Sequence, residues 1–194
     1  MTGRNSLLFY VVLFACLRYA PGFNIFVQRI LGISAQRCNP KTGWNEFEAR
    51  LPAYLIESCF SLGFADGPNR VQKRAITEIL KNRDIIVKSK TGSGKTLAYS
   101  LPLLSRLDLT NRNVQALILC PTRELSNQVA ESIRKLGSRS PVGGLRLVVL
   151  VGGVPGSTQK QSLETGAHIV VGTPGRVLDF ADRRLLSVDM IRMV

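Results

Sequence analysis

The stretch Ile85–Pro102, IIVKSKTGSGKTLAYSLP, constrains this chain more than any other. Apolar Ile85, Ile86 and Val87 run into a loop of Lys, Thr, Gly and Ser, and helix-forming residues follow from Thr96 to Tyr99. A strand, a glycine loop and a helix start in that order bring successive backbone N–H groups to one point, at the positive end of the new helix. Gly92 and Gly94 permit positive φ and the close approach of a ligand. Lys95 adds a cation for the outer phosphates of a triphosphate, and the Thr96 hydroxyl a position on magnesium. The pattern is G-x-x-x-x-G-K-[ST] with Ser89 in place of its first glycine. A plain turn would explain the glycines but not the Lys-Thr pair after them. A dinucleotide site would need a glycine where Leu97 stands and an acid where Cys120 ends the second apolar run.

The elements around this loop alternate. Apolar positions Leu51, Leu55, Ile56, Cys59 and Leu62 predict a helix that begins at Pro52, and a Gly67-Pro68 turn leads to a second helix over 71–80. Strands are then expected at 84–88, 114–120, 145–151 and 168–171, with helices at 95–106, 124–136, 159–164 and 176–182 between and after them. Apolar strands separated by amphipathic helices imply an α/β fold with a parallel sheet covered on both faces. Right-handed crossovers put every strand's C-terminal end on one edge, where ligands bind. Four loops should open there: SKTGSGKT, PTREL, VGG and TPGR. Arg123 and Arg176 sit beside Thr122 and Thr173 at helix starts that already favour anions.

Charge agrees with a phosphate-rich partner. The chain of 194 residues carries a net charge of +13, which draws polyanions. Residues 1–45 hold Arg4, Arg18, Arg29, Arg37 and Lys41 and no acid, so eight of the thirteen charges remain on the rest. Cys16, Cys38, Cys59 and Cys120 lack C-x-x-C spacing and His168 is the sole histidine, which argues against zinc. Cys59 and Cys120 read as buried and reduced, and His168 as a strand-edge residue rather than a catalytic one.

Residues 1–45 differ in kind from the rest of the chain. Arg4 precedes the apolar run Ser6–Leu17, and Arg18 closes it; this run is short for a membrane span and suits a signal-type segment. The basic, acid-free stretch after Ala20 suits a transit peptide. The two together resemble a bipartite plastid presequence, which would leave no stable membrane anchor after processing. A mitochondrial presequence stands as an alternative, as does an N-terminal core helix. A misread gene start would instead place the protein in the cytoplasm or nucleus. Residues 46–194 are expected to form the folded domain.

Taken in order and at these distances, the motifs from about Phe47 to Val194 resemble the first RecA-like domain of the DEAD-box RNA helicases, a P-loop NTPase fold. SKTGSGKT resembles motif I, Pro121-Thr122-Arg123-Glu124-Leu125 motif Ia, Gly152-Gly153 the GG motif and Thr173-Pro174-Gly175-Arg176 motif Ib. The resemblance implies that Ser89, Lys90, Thr91, Gly92, Ser93, Gly94, Lys95 and Thr96 bind ATP with magnesium, Lys95 and Thr96 serving catalysis. It implies that Phe47 stacks on adenine and Gln72 reads its edge, although Asn69 stands where Thr or Ser is usual and one extra residue precedes Pro68. It implies that Pro121, Thr122, Arg123, Gly152, Gly153, Thr173, Pro174, Gly175 and Arg176 hold the backbone of RNA without reading its bases. In the family the strand begun by Met190–Val194 leads to Asp-Glu-Ala-Asp, which does not occur here; the resemblance thus implies the ATP- and RNA-binding first lobe of a helicase that couples RNA unwinding to ATP hydrolysis when complete, with little hydrolysis expected from this chain alone. A non-hydrolysing nucleotide- and RNA-binding module and another phosphate-loop ATPase, such as a DNA helicase, are the competing readings.

Overall fold

A computed structural model describes residues 43–141 and 144–194, all within one compact unit that spans 41–194. The apolar run Ser6–Leu17 and the basic segment after it lie outside the described residues.

A short 3-10 turn, Asn45–Phe47, precedes α1 (Ala53–Ser61) and α2 (Arg70–Leu80). Pro52 fixes the start of α1, as its locked φ requires. Helix α2 opens on a reciprocal capping box: Gln72 N–H donates to Asn69 Oδ1 at 3.0 Å, and Asn69 N–H donates to Gln72 Oε1 at 2.8 Å. Helix α3 (Lys95–Ser105) follows the glycine loop and packs on α2. Strands β1 (Ala116–Leu119), β2 (Leu147–Leu150) and β3 (Ile169–Gly172) then alternate with α4 (Arg123–Gly137), α5 (Gly156–Glu164) and α6 (Pro174–Asp182).

The three strands form a parallel sheet of order β1-β3-β2. Central β3 is buried throughout, as the continuous apolar run of a doubly covered strand demands. On one face Val148, Leu150 and Val170 pack with Val177 and Phe180 of α6 and with Leu163 of α5. Helix α4 packs on β2 and β3 with Val129, Ala130, Ile133 and Leu136 buried at helical spacing. Met193 forms a parallel bridge to Ala116 on the open side of β1, and Leu117 N–H donates to Met193 O at 2.9 Å.

One expected strand does not form. Residues 84–88 pair with no strand among the described residues, and Ile86 is 100% exposed. A strand is held by the ladder to its neighbour, and this segment enters no ladder with the described strands. Strands β1 and β2 are shorter than their apolar runs, since only the residues opposite a partner enter the ladder.

His168 lies just before β3, 1% exposed, and its Nδ1 accepts from Arg146 N–H at 3.1 Å. Cys59 and Cys120 are buried free thiols. Burial pushes the Cys59 thiol up to about 12, which keeps it protonated and unreactive.

Candidate functional site

Register decides where the loops open. Leu119 of β1 and Leu150 of β2 both stand opposite Gly172 of β3, so the chain leaves all three strands at the same level. Pro121–Arg123, Val151–Val154 and Thr173–Arg176 therefore share one rim. Thr122 caps α4, its Oγ1 accepting from Leu125 N–H at 3.2 Å. Thr173 stands before α6 with Pro174 at its first position, where the missing N–H costs nothing.

The two arginines take different parts. Arg123 is exposed and lies against the glycine pair, so close that a β-carbon on Gly153 would stand 2.9 Å from its Nη1. Gly153 also has φ of +78°, so the close approach and the backbone both ask for glycine. The neighbouring carboxyl of Glu124 is held below the usual range, first by its own backbone N–H at the helix start and also by the Arg123 charge. Arg176, in contrast, is half-buried and engaged. Its Nε donates to Val151 O at 3.2 Å, its Nη2 to Val154 O at 2.7 Å, and its Nη1 to Asp179 Oδ2 at 3.5 Å. It acts as a clamp on the loop that carries Gly152 and Gly153.

Gln159 holds the same loop from the other side. Buried in α5, it accepts from Val151 N–H at 3.1 Å and donates to Val151 O at 3.0 Å and Val154 O at 3.2 Å. Nothing in its sequence context marks it, because the contact crosses from helix to strand end.

The glycine loop is anchored separately, by α2. Asn69 Nδ2 donates to Ser93 O at 3.0 Å and Gln72 Nε2 to Gly94 O at 3.3 Å. Gly92 and Gly94 have φ of +74° and +77°, and a β-carbon on Gly94 would collide with the Gln72 amide. Lys95 curls back over the loop, its ammonium donating to Ser89 O at 2.8 Å and Lys90 O at 2.7 Å. The Ser89 and Ser93 hydroxyls bond each other at 2.7 Å. Thr96 follows, half-buried, at the second position of α3. Glycines in the left-handed region, an ammonium and hydroxyls around one helix N-terminus fit a chain of phosphates.

The pair expected to meet adenine is buried and engaged. Phe47 is 1% exposed, edge-on to Trp44 with ring centroids 6.4 Å apart, so its ring has no open face. Gln72 is 3% exposed with both amide atoms engaged as above. Trp44 itself, missed in the sequence, is fully buried and donates from Nε1 to Phe64 O at 2.6 Å, tying down the loop that carries the extra residue.

Comparison with known proteins agrees with this geometry. The family profile described as DEAD/DEAH box helicase matches residues 69–194. The chain is 44% identical over 141 residues to the ATP-dependent RNA helicase DbpA of Escherichia coli (strain K12), covering 73% of this chain and 30% of that protein. It is 38% identical over 144 residues to the ATP-dependent RNA helicase DeaD of Haemophilus influenzae, covering 74% and 23%. Among solved structures, a DEAD box protein from the hyperthermophile Methanococcus jannaschii superposes with a TM-score of 0.68 at 34% identity, over 74% of this chain and 38% of that one. S. cerevisiae Dbp5 bound to RNA and ADP BeF3 superposes with a TM-score of 0.66 at 30% identity, over 78% and 36%. The chain thus spans about a quarter to a third of the curated relatives' length. With its phosphate loop, its three-loop rim and a profile match that covers most of its length, the chain belongs to the DEAD/DEAH box helicase family.

Proposed function

We propose that this chain is the ATP- and RNA-binding lobe of an ATP-dependent RNA helicase. The observation that carries the reading is the common level at which β1, β2 and β3 end, which gathers Arg123, Gly153 and the Arg176-clamped loop beside helix N-termini. Such an edge binds a sugar-phosphate backbone through amides, hydroxyls and an arginine fork, and reads no base.

At the glycine loop, Lys95 would leave the carbonyls of Ser89 and Lys90 for phosphate oxygens, and the backbone of residues 89–96 would wrap the phosphates. Magnesium, held in part by the Thr96 hydroxyl, would neutralise charge on the outer phosphates. Adenine recognition by Phe47 and Gln72 requires both side chains to leave their present contacts, so base selectivity should be weak beside phosphate binding. On the rim, Thr122, Arg123, Gly153, Thr173 and Gly175 would meet RNA directly, while Arg176 and Gln159 keep the glycine pair in place. In the whole protein, ATP would close this lobe over RNA and hydrolysis would release it.

Fluorescence anisotropy with labelled single strands tests the reading. The 194-residue chain should bind RNA of any sequence, with affinity falling steeply as salt rises. Strong preference for one sequence, or indifference to salt, would defeat it. We further propose residues 1–45 as a presequence for an organelle, a plastid before a mitochondrion. A fluorescent fusion of those residues that stays in the cytoplasm would sink that proposal.

A further inference from the structure

Strand β2 lies at the edge of the sheet, and no strand pairs with its outer side among the described residues. Helices α4 and α5 flank that edge and leave two adjoining cavities. One, of about 520 Å³, is lined by Arg123, Asn127 and Val149; the other, of about 630 Å³, by Arg134, Arg146 and Leu147. Thr158 and Ser162 line both, so the two form one groove. It starts at the rim, where Arg123 meets Gly153, and ends at Arg134 and Arg146.

Arg123, Asn127 and Arg134 follow one another at helical spacing along α4, so the helix carries the arginines about 16 Å apart. No carboxylate lines either cavity among the described residues. The acids on the flanking helices, Glu124, Glu131 and Glu164, pair with Arg123, Lys135 and Lys160. Arg134 spends one donor on Leu147 O at 3.4 Å and Arg146 one on Thr165 O. Each guanidinium has five, so both keep donors for a ligand.

A peptide adding to the edge of β2 is a poor occupant. Its ladder would need free backbone groups, yet Gln159 takes both the N–H and the O of Val151, and Arg134 covers Leu147 O. Three arginines, hydroxyls and no acid instead suit a flexible chain of phosphates. We propose that single-stranded RNA leaving the rim at Arg123 continues along the β2 edge to Arg134 and Arg146. This rests on the RNA-binding reading above and extends its path beyond the motif loops.

The test is anisotropy on the 194-residue chain with two RNAs, one of about five nucleotides and one of about twelve. In the double variant Arg134→Gln, Arg146→Gln, affinity for the longer RNA should fall on the order of tenfold near 0.1 M salt, and its log–log salt slope should be shallower by about 1.4, since each phosphate contact on a single strand contributes about 0.7. Affinity for the shorter RNA should stay as in the parent. Gln161→Glu, which places an acid beside the second cavity from the exposed side of α5, should weaken the longer RNA in the same selective way. Equal losses for both RNAs, no loss for either, or a loss in the double variant that Gln161→Glu does not reproduce would each overturn the proposal. A parent chain that binds neither RNA would overturn the functional reading itself, and the groove with it.

Discussion

Lys95 and Asn69 show how much of the site rests on single side chains. The Lys95 ammonium now satisfies two carbonyl dipoles, and a phosphate would give it a full opposite charge in exchange, a stronger partner than a carbonyl dipole. Lys95→Ala should therefore cost ATP affinity tenfold or more (about 1.4 kcal/mol or above) while RNA affinity holds; an equal fall in both titrations would mean the loop does other work. Asn69 is both a cap and a tether. Asn69→Ala removes both and should lower stability by about 1 kcal/mol. Asn69→Asp keeps the acceptor for Gln72 N–H but loses the donor to Ser93 O, so denaturant titration should find it near parent stability while nucleotide titration finds weaker binding. The glycine loop and the loops that follow the strands were legible from residue type and spacing. What spacing did not convey was which way side chains turn. Phe47 is taken up by Trp44, Gln72 by Gly94, and Arg176 by the carbonyls of Val151 and Val154, and each of these is a contact between residues remote from, or unpatterned against, one another in sequence.

At the scale of elements, periodicity located each of α1 to α6 among the described residues, because a helix is closed by bonds within its own segment. Strands are a property of pairs. The runs 114–120, 145–151 and 168–171 each found a neighbour, whereas 84–88, with three apolar residues between Asp84 and Lys88, found none among the described residues. Hydrogen exchange should separate the two cases: amides of Val170 and Val171 in the buried central strand should exchange only on global opening, and those of Ile86 and Val87 should exchange fast. Slow exchange at Ile86 would mean that a partner strand exists in solution. The same contrast applies to substitution. Ile133, fully buried on α4, should cost about 2–5 kcal/mol as Ile133→Ala, measured as a drop in denaturant midpoint, while Ile86→Lys should stay within about 0.5 kcal/mol of the parent.

Across the whole molecule, stability should depend on pH through a few buried groups rather than through the large net charge. The neutral imidazole of His168 is the form that fits, since its Nδ1 accepts from Arg146 N–H. Its affinity for a proton is lowered first by burial and next by the Arg146 charge, with the Leu109 backbone and then Asp108 opposing. In the unfolded chain the same imidazole titrates near 6.5. Above that pH both states are neutral and His168 contributes no slope. Below it the unfolded chain takes up the proton first, so stability falls as pH drops, by at most about 1.4 kcal/mol per unit. The carboxyls of Glu78, Asp108, Glu124 and Glu131 are all held below their ordinary range, so their losses come at lower pH and leave the window just under 6.5 to His168. On the alkaline side Cys59 acts in the same sense: folded, its thiol keeps the proton to about 12, while the unfolded thiol loses it near 8.5, so stability declines above that value. A plateau between about pH 6.5 and 8.5 is the expected profile of denaturant midpoint. In His168→Asn, whose side-chain oxygen can accept the same Arg146 N–H without titrating, the acid-side fall should begin only in the carboxylate range. A variant that loses stability from pH 6.5 downward as the parent does would show that the proton uptake belongs to another group.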